Sequence, residues 1–257
     1  MNCTIGILGG GQLCRMMGEA VRYNGLPFRL VALDPVPNCP AYDFIDEQIV
    51  ADFKDEDAVI RFADSSDLIT YEIELANGKA LEALNRSGKQ VHPSPATLRT
   101  IQDKYQQKSF LCSKGIPVPD FVSIEDSHDA ELAARNFGYP FMVKARRDSY
   151  DGRGNFLVTC EGQIPEAMKH FSGRDLMAER YVDFVAEVSV IAARSVNGEI
   201  CTYPVGENVH ESNVLRTTIV PARIDSSVAG EAVSIAGETL QGLMRKGAGG
   251  NDIDITA

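Results

Sequence analysis

The chain opens on a short apolar run, residues 4–8, that stops at Gly9, Gly10 and Gly11. A run of that length bounded by glycines predicts a strand. Leu13, Met16, Met17, Ala20 and Val21 then recur at the spacing of one helix face, which predicts a helix over residues 12–23. A second apolar run, residues 28–33, ends on Asp34, and Pro35, Pro37 and Pro40 mark the loop behind it. Residues 48–51 and 68–71 read as further strands, with helices near 55–63 and 80–85. Such strand–helix alternation predicts α/β structure with a parallel, doubly wound sheet. His92-Pro93-Ser94-Pro95 ends it.

Past Pro95 the pattern changes. Residues 97–114 read as one long helix, stopped by Gly115 and the Pro117/Pro119 pair. Residues 141–144 predict a strand, a glycine-rich loop follows at 150–154, and residues 155–159 resume the strand. Residues 185–193 and 200–203 flank Val196-Asn197-Gly198-Glu199, whose Asn-Gly pair predicts a hairpin. A small mixed sheet is therefore expected after the parallel lobe.

Charge narrows the partners. The formal net charge of -11 argues against nucleic acid or an anionic membrane surface, because phosphate-tracking proteins carry a basic stripe. A small phosphorylated ligand needs only a few cations and N–H groups, so it stays open. No apolar run approaches the ~20 residues that cross a bilayer. The first residues enter a strand with no basic segment or cleavage site ahead, which reads as cytoplasmic. The six cysteines are scattered, with no C-x-x-C pair, so reduced and mostly buried thiols are expected rather than zinc or disulfides.

Two loops and one strand end carry candidate chemistry. Gly9-Gly10-Gly11-Gln12 joins a strand to a helix, where bare backbone can approach an anion. With Asp34 ending the next strand, a nicotinamide-dependent dehydrogenase is a rival reading, although the third glycine of that fingerprint falls at Cys14. A tight turn with no ligand is equally compatible. Lys144 ends a strand ahead of Ser149, Tyr150, Asp151, Gly152, Arg153, Gly154 and Asn155. A strand-borne lysine beside a Gly-x-Gly flap suits nucleotide phosphates, and no Walker loop is present. A β-hairpin with two turn glycines explains the glycines but not Lys144, Tyr150 and Arg153 together. Glu72 and Glu74 sit at the C-terminal end of a strand, where doubly wound sheets place ligands; one solvent-facing strand side is the plainer reading.

Gly6-Ile7-Leu8-Gly9-Gly10-Gly11-Gln12-Leu13 with Arg15-Met16 resembles the opening of the N5-carboxyaminoimidazole ribonucleotide synthase family. So do Thr70-Tyr71-Glu72-Ile73-Glu74, Pro93-Ser94-Pro95, Gln102-Asp103-Lys104 with Lys108, and Tyr150-Asp151-Gly152-Arg153-Gly154. Tyr203-Pro204-Val205 with Glu207-Asn208-Val209-His210 completes six matches in family order.

The resemblance implies a parallel pre-ATP-grasp domain over residues 1–96 and two ATP-grasp α+β subdomains, 97–175 and a partial one at 176–257. It implies that ATP phosphorylates bicarbonate to carboxyphosphate, which passes its carboxyl group to the amine of aminoimidazole ribonucleotide. ATP would then be held by Lys104, Lys144, the flap from Ser149 to Asn155, the hinge Glu179, Arg180, Tyr181 and Val182, and by Glu187 and His210. Gly10, Gly11, Gln12, Leu13, Glu72 and Glu74 would face the ribonucleotide, with Tyr150 and Arg153 catalytic. A homodimer is the candidate assembly.

Two departures matter. Cys14 replaces the family's glycine and is expected to disturb close helix packing. After Leu243 the magnesium-binding carboxylates, an Asn-Glu pair and an Arg-Pro-His-rich segment of the family are absent, and a glycine-rich tail stands instead. Mg2+ therefore has no family ligand in this chain, which is expected to turn over slowly or not at all. The alternatives are a non-catalytic nucleotide-binding remnant and another ATP-grasp carboxylate–amine ligase.

Overall fold

The computed structural model describes residues 3–149, 154–195, 197–211 and 214–243. They form two compact units, one up to Arg99 and one from Thr100.

The first unit is built on five parallel strands in the order β3-β2-β1-β4-β5. These are β1 (Cys3–Leu8), β2 (Phe28–Asp34), β3 (Glu47–Val50), β4 (Leu68–Tyr71) and β5 (Gln90–Val91). Helices α1 (Gln12–Tyr23), α2 (Glu56–Ala63) and α3 (Gly78–Arg86) connect them. Central β1 pairs Ile7 with Ala32 on one side and with Thr70 on the other, and Ile7 and Leu8 are fully buried. That double burial is why the run reads as continuously apolar rather than alternating. Asp55 and Asn77 start α2 and α3 by accepting the N–H groups of Ala58 and Ala80. Strand order runs outward from β1 in both directions, so the ends of β1 and β4 flank the topological switch point, where such sheets bind ligands.

The second unit starts within α4 (Pro95–Ile101) and continues through α5 (Lys104–Ser113), β6 (Phe121–Ile124) and α6 (Ser127–Phe137). Next come β7 (Phe141–Ala145), β8 (Asn155–Val158), α7 (Ile164–His170) and β9 (Leu176–Arg180). Its four-stranded sheet has the order β6-β9-β7-β8 and is antiparallel throughout. Phe141, Val143, Val158 and Ala178 from that sheet pack with Ala130, Ala133 and Ala167 of α6 and α7. Strands β10 (Glu187–Ser189), β13 (Gly206–Glu211) and β14 (Val214–Ile219) make a three-stranded antiparallel sheet. A separate hairpin joins β11 (Ala192–Arg194) to β12 (Ile200–Thr202), and α8 (Ser226–Gly242) contacts both of its strands.

Five expectations are corrected. The long helix over 97–114 is two helices, because Asp103 accepts from Tyr105 and Gln106 and so starts α5 anew. The strand expected over 185–193 is split, since its first part pairs with β13 and its second with β12. The strand pairings of the second unit are antiparallel, not mixed. Of the cysteines only Cys14 and Cys39 are buried; Cys3, Cys112, Cys160 and Cys201 are exposed. Cys14 is accommodated, fully enclosed with Ile7, Leu30 and Ala32, and burial pushes its thiol up to about 12. No helix among the described residues is long and apolar enough to cross a membrane.

Candidate active site

At the switch point of the first unit, β1 runs into Gly9, Gly10 and Gly11 ahead of α1. Gly9 has φ +95°, a conformation L side chains rarely adopt, and a Cβ there would lie 2.6 Å from Glu72 Oε1. The N–H groups that this turn presents are already taken. Gly10 N donates to Asp34 Oδ2 at 2.8 Å and Gly11 N to Glu72 Oε1 at 2.9 Å. Glu72 thus places its own carboxylate at the start of α1, where the helix dipole favours an anion. A dinucleotide's pyrophosphate would need that position, so the geometry disfavours the dehydrogenase reading. Burial, helped by nearby Asp34, raises the Glu72 carboxyl above the usual range, while the Gly11 N–H opposes the rise. Gln12, Leu13 and Glu74 are exposed around it.

The second unit gathers cations. Lys104 opens α5, and its Nζ donates to Ser149 Oγ at 2.9 Å, with the Ser149 carbonyl oxygen at 3.5 Å. Burial, with Lys144 and Arg174 nearby, pushes the Lys104 ammonium below its ordinary pKa. A Cβ on Gly154 would collide with Ser149 at 2.2 Å, so glycine lets the two ends of the loop meet. Lys144 stands on β7, in register with Asn155 of β8 and Met177 of β9. Its Nζ lies 2.8 Å from Glu179 Oε2, and Lys108 Nζ lies 3.1 Å from Glu179 Oε1. The Lys144 contact is an ion pair without hydrogen-bond alignment, since Glu179 Oε2 has no hydrogen-bond partner among the described residues. Lys108 and Lys144 thus converge on one buried carboxylate.

The hinge residues separate in role. Glu179 is buried and turns its carboxylate onto the lysines. Arg180 turns away, with Nε 2.9 Å from Asp120 Oδ2 and its guanidinium also donating to the Phe137 carbonyl. Tyr181 and Val182 are exposed. In the neighbouring three-stranded sheet, β10 and β13 bring Glu187 and His210 together, Oε1 to Nε2 at 3.5 Å. Tyr150, Asp151, Gly152 and Arg153 lie outside the described residues.

Sequence reasoning assigned no role to Asp103, Lys108, Arg146, Arg147 or Arg174. The one available signal was Asp103 directly ahead of a helix-forming stretch, a helix start that the longer periodic pattern hid.

The ribonucleotide synthetase preATP-grasp domain family matches residues 1–102, and the ATP-grasp domain family matches residues 109–251. A phosphoribosylaminoimidazole carboxylase of Schizosaccharomyces pombe is 41% identical over 235 residues, covering 91% of this chain and 42% of its own. A solved ADP complex of N5-carboxyaminoimidazole ribonucleotide synthetase is 32% identical with a TM-score of 0.88, over 99% of this chain and 69% of its own. The Aspergillus clavatus N5-carboxyaminoimidazole synthase solved with ADP and 5-aminoimidazole ribonucleotide is 33% identical with a TM-score of 0.84, over 94% of this chain and 63% of its own. The chain spans about half the length of the curated relatives it matches, 42% in one and 59% in another. On two family matches and a fold shared along almost its whole length, the chain belongs to the ATP-grasp family, with the N5-carboxyaminoimidazole ribonucleotide synthases.

Proposed function

We propose that the protein of which this chain is part carboxylates the amine of 5-aminoimidazole ribonucleotide, using ATP and bicarbonate, in purine biosynthesis. The observation that carries this reading is the set of cations on α5 and β7, with Lys108 and Lys144 converging on buried Glu179, in a chain whose relatives were solved with ADP. A bicarbonate oxygen attacks the γ-phosphorus of ATP, ADP leaves, and carboxyphosphate forms. The amine nitrogen then attacks the carboxyl carbon, phosphate departs, and the nitrogen gives up a proton. Lys104, Lys144 and Ser149 supply charge and donors to the phosphates in this scheme. Glu187 is assigned to ribose hydroxyls with His210 beside it, and the backbone from Glu179 to Val182 to adenine. Tyr150, Arg153 and the loop from Asp151 to Asn155 are assigned to the same nucleotide by the family resemblance. Gly10, Gly11, Gln12, Leu13, Glu72 and Glu74 are assigned to the ribonucleotide. The domain division at 96 and 175 belongs to this reading, as does a homodimer.

Mg2+ accompanies ATP in such chemistry, where it would neutralise phosphate charge. Among the described residues no three His, Cys, Asp or Glu gather, and Glu179 is committed to two lysines.

Calorimetric titration tests the substrate. Aminoimidazole ribonucleotide should bind and glycinamide ribonucleotide should not. Tighter binding of the latter would move the protein to another carboxylate–amine ligase.

A further inference from the structure

Asp103 is fully buried, and its carboxylate takes five donors. Two are the helix-cap N–H groups, Tyr105 at 3.0 Å and Gln106 at 3.3 Å. The other three come from the segment directly after β7. Arg146 donates through Nε at 3.1 Å and Nη2 at 2.6 Å, and Arg147 through Nη2 at 3.0 Å. The same segment is tied to the next residue in the chain: Lys104 N donates to the Arg146 carbonyl at 2.9 Å, and Lys104 Nζ reaches Ser149. Arg174 holds the outer side, donating to the carbonyls of Arg147 and Asp148. The Arg146 guanidinium also lies over the Tyr105 ring, 4.9 Å from its centroid.

Capping a helix does not require a buried charge, since Asn or Ser serves as well. Enclosing a carboxylate is costly unless cations meet it, and here two arginines do. Burial would raise its pKa, yet Arg146, the Gln106 N–H and Arg147 hold the carboxyl below its ordinary value. The charge therefore meets the arginines, and the arginines lie in the stem that leads from β7 to Ser149.

We propose that Asp103 is a positioning residue for nucleotide phosphates: by gripping Arg146 and Arg147 it fixes the loop stem so that Lys104 and Ser149 face the ligand together. This rests on the assignment of Lys104, Lys144 and Ser149 to phosphate binding. Without the grip, binding ATP would have to order the stem, and that ordering would be subtracted from affinity.

Asp103→Asn isolates the effect, because Asn keeps the cap oxygen and loses the charge. Calorimetry of the full chain with ATP, and competition with adenosine, which has no phosphates, gives the readout. Asp103→Asn should weaken ATP about tenfold, equivalent to about 1.4 kcal/mol, and leave adenosine unchanged. Arg146→Lys keeps its charge, loses the two-pronged contact, and should move ATP in the same direction; it decides the matter alone if Asp103→Asn does not fold. Equal weakening of ATP and adenosine would make Asp103 a structural residue only and overturn the proposal. So would unchanged ATP affinity in both variants while Lys144→Ala is weakened. Unchanged affinity in Lys144→Ala would instead overturn the nucleotide site itself, and the proposal with it.

Discussion

Glu72 carries a charge that its surroundings oppose. Burial, with Asp34 nearby, holds its carboxyl above the ordinary 4.5 despite the N–H that Gly11 donates to it. A carboxyl with a raised folded pKa binds its proton more tightly in the native state than in the unfolded chain. Its contribution to stability is therefore full below the unfolded value and is lost as pH rises through the folded one. Ionisation of Glu72 therefore works against the fold. Glu72→Gln should thus melt higher than the parent at pH 8, with the gap closing as pH falls toward 4.5. A gap that is constant with pH would show that Glu72 carries no such cost. Its neighbour Gly9 gives the complementary case: Gly9→Ala should cost about 1–3 kcal/mol through backbone strain at positive φ, in addition to the close approach of Glu72. Chemical denaturation measures it, and a loss under a few tenths would contradict the turn geometry.

At the scale of elements, the parallel lobe was legible because its strands announce themselves. Residues 6–8 and 30–33 are buried in unbroken succession, so burial and sequence pattern coincide there. The second unit was harder to read for physical reasons. β10, β11 and β12 have three residues each, too short for alternation to register, and which sheet they join depends on distant partners such as β13. Helices α4 and α5 share one periodic stretch, and only the Asp103 side chain marks the break. The candidate site divides along the same line. Glycines and lysines were visible as types that suit phosphate, and the family resemblance joined them across the chain. The pairing of Glu179 with Lys108 and Lys144 was not visible, because three elements must meet before that carboxylate has a meaning. The Arg180 side chain pairs with Asp120, a contact equally hidden in the sequence.

For the molecule as a whole, charge sets the problem. A chain of net charge -11 repels a nucleotide at long range, so binding must come from a local concentration of cations. The second unit provides one, with Lys104, Lys108, Lys144, Arg146 and Arg147 around two buried carboxylates, Asp103 and Glu179. Lys54 lies in the first unit on an exposed turn among acids, outside that concentration. Lys54→Ala and Lys144→Ala change the net charge identically, so any difference between them is local. Losing a charged partner to a phosphate oxygen costs about 1.5–3 kcal/mol, roughly ten- to a hundredfold in affinity. Titrating ATP into the parent chain and these two variants by calorimetry tests the nucleotide site most directly. Lys144→Ala should bind about ten- to a hundredfold more weakly, with Lys54→Ala indistinguishable from the parent. Equal affinities for the two variants would contradict the account.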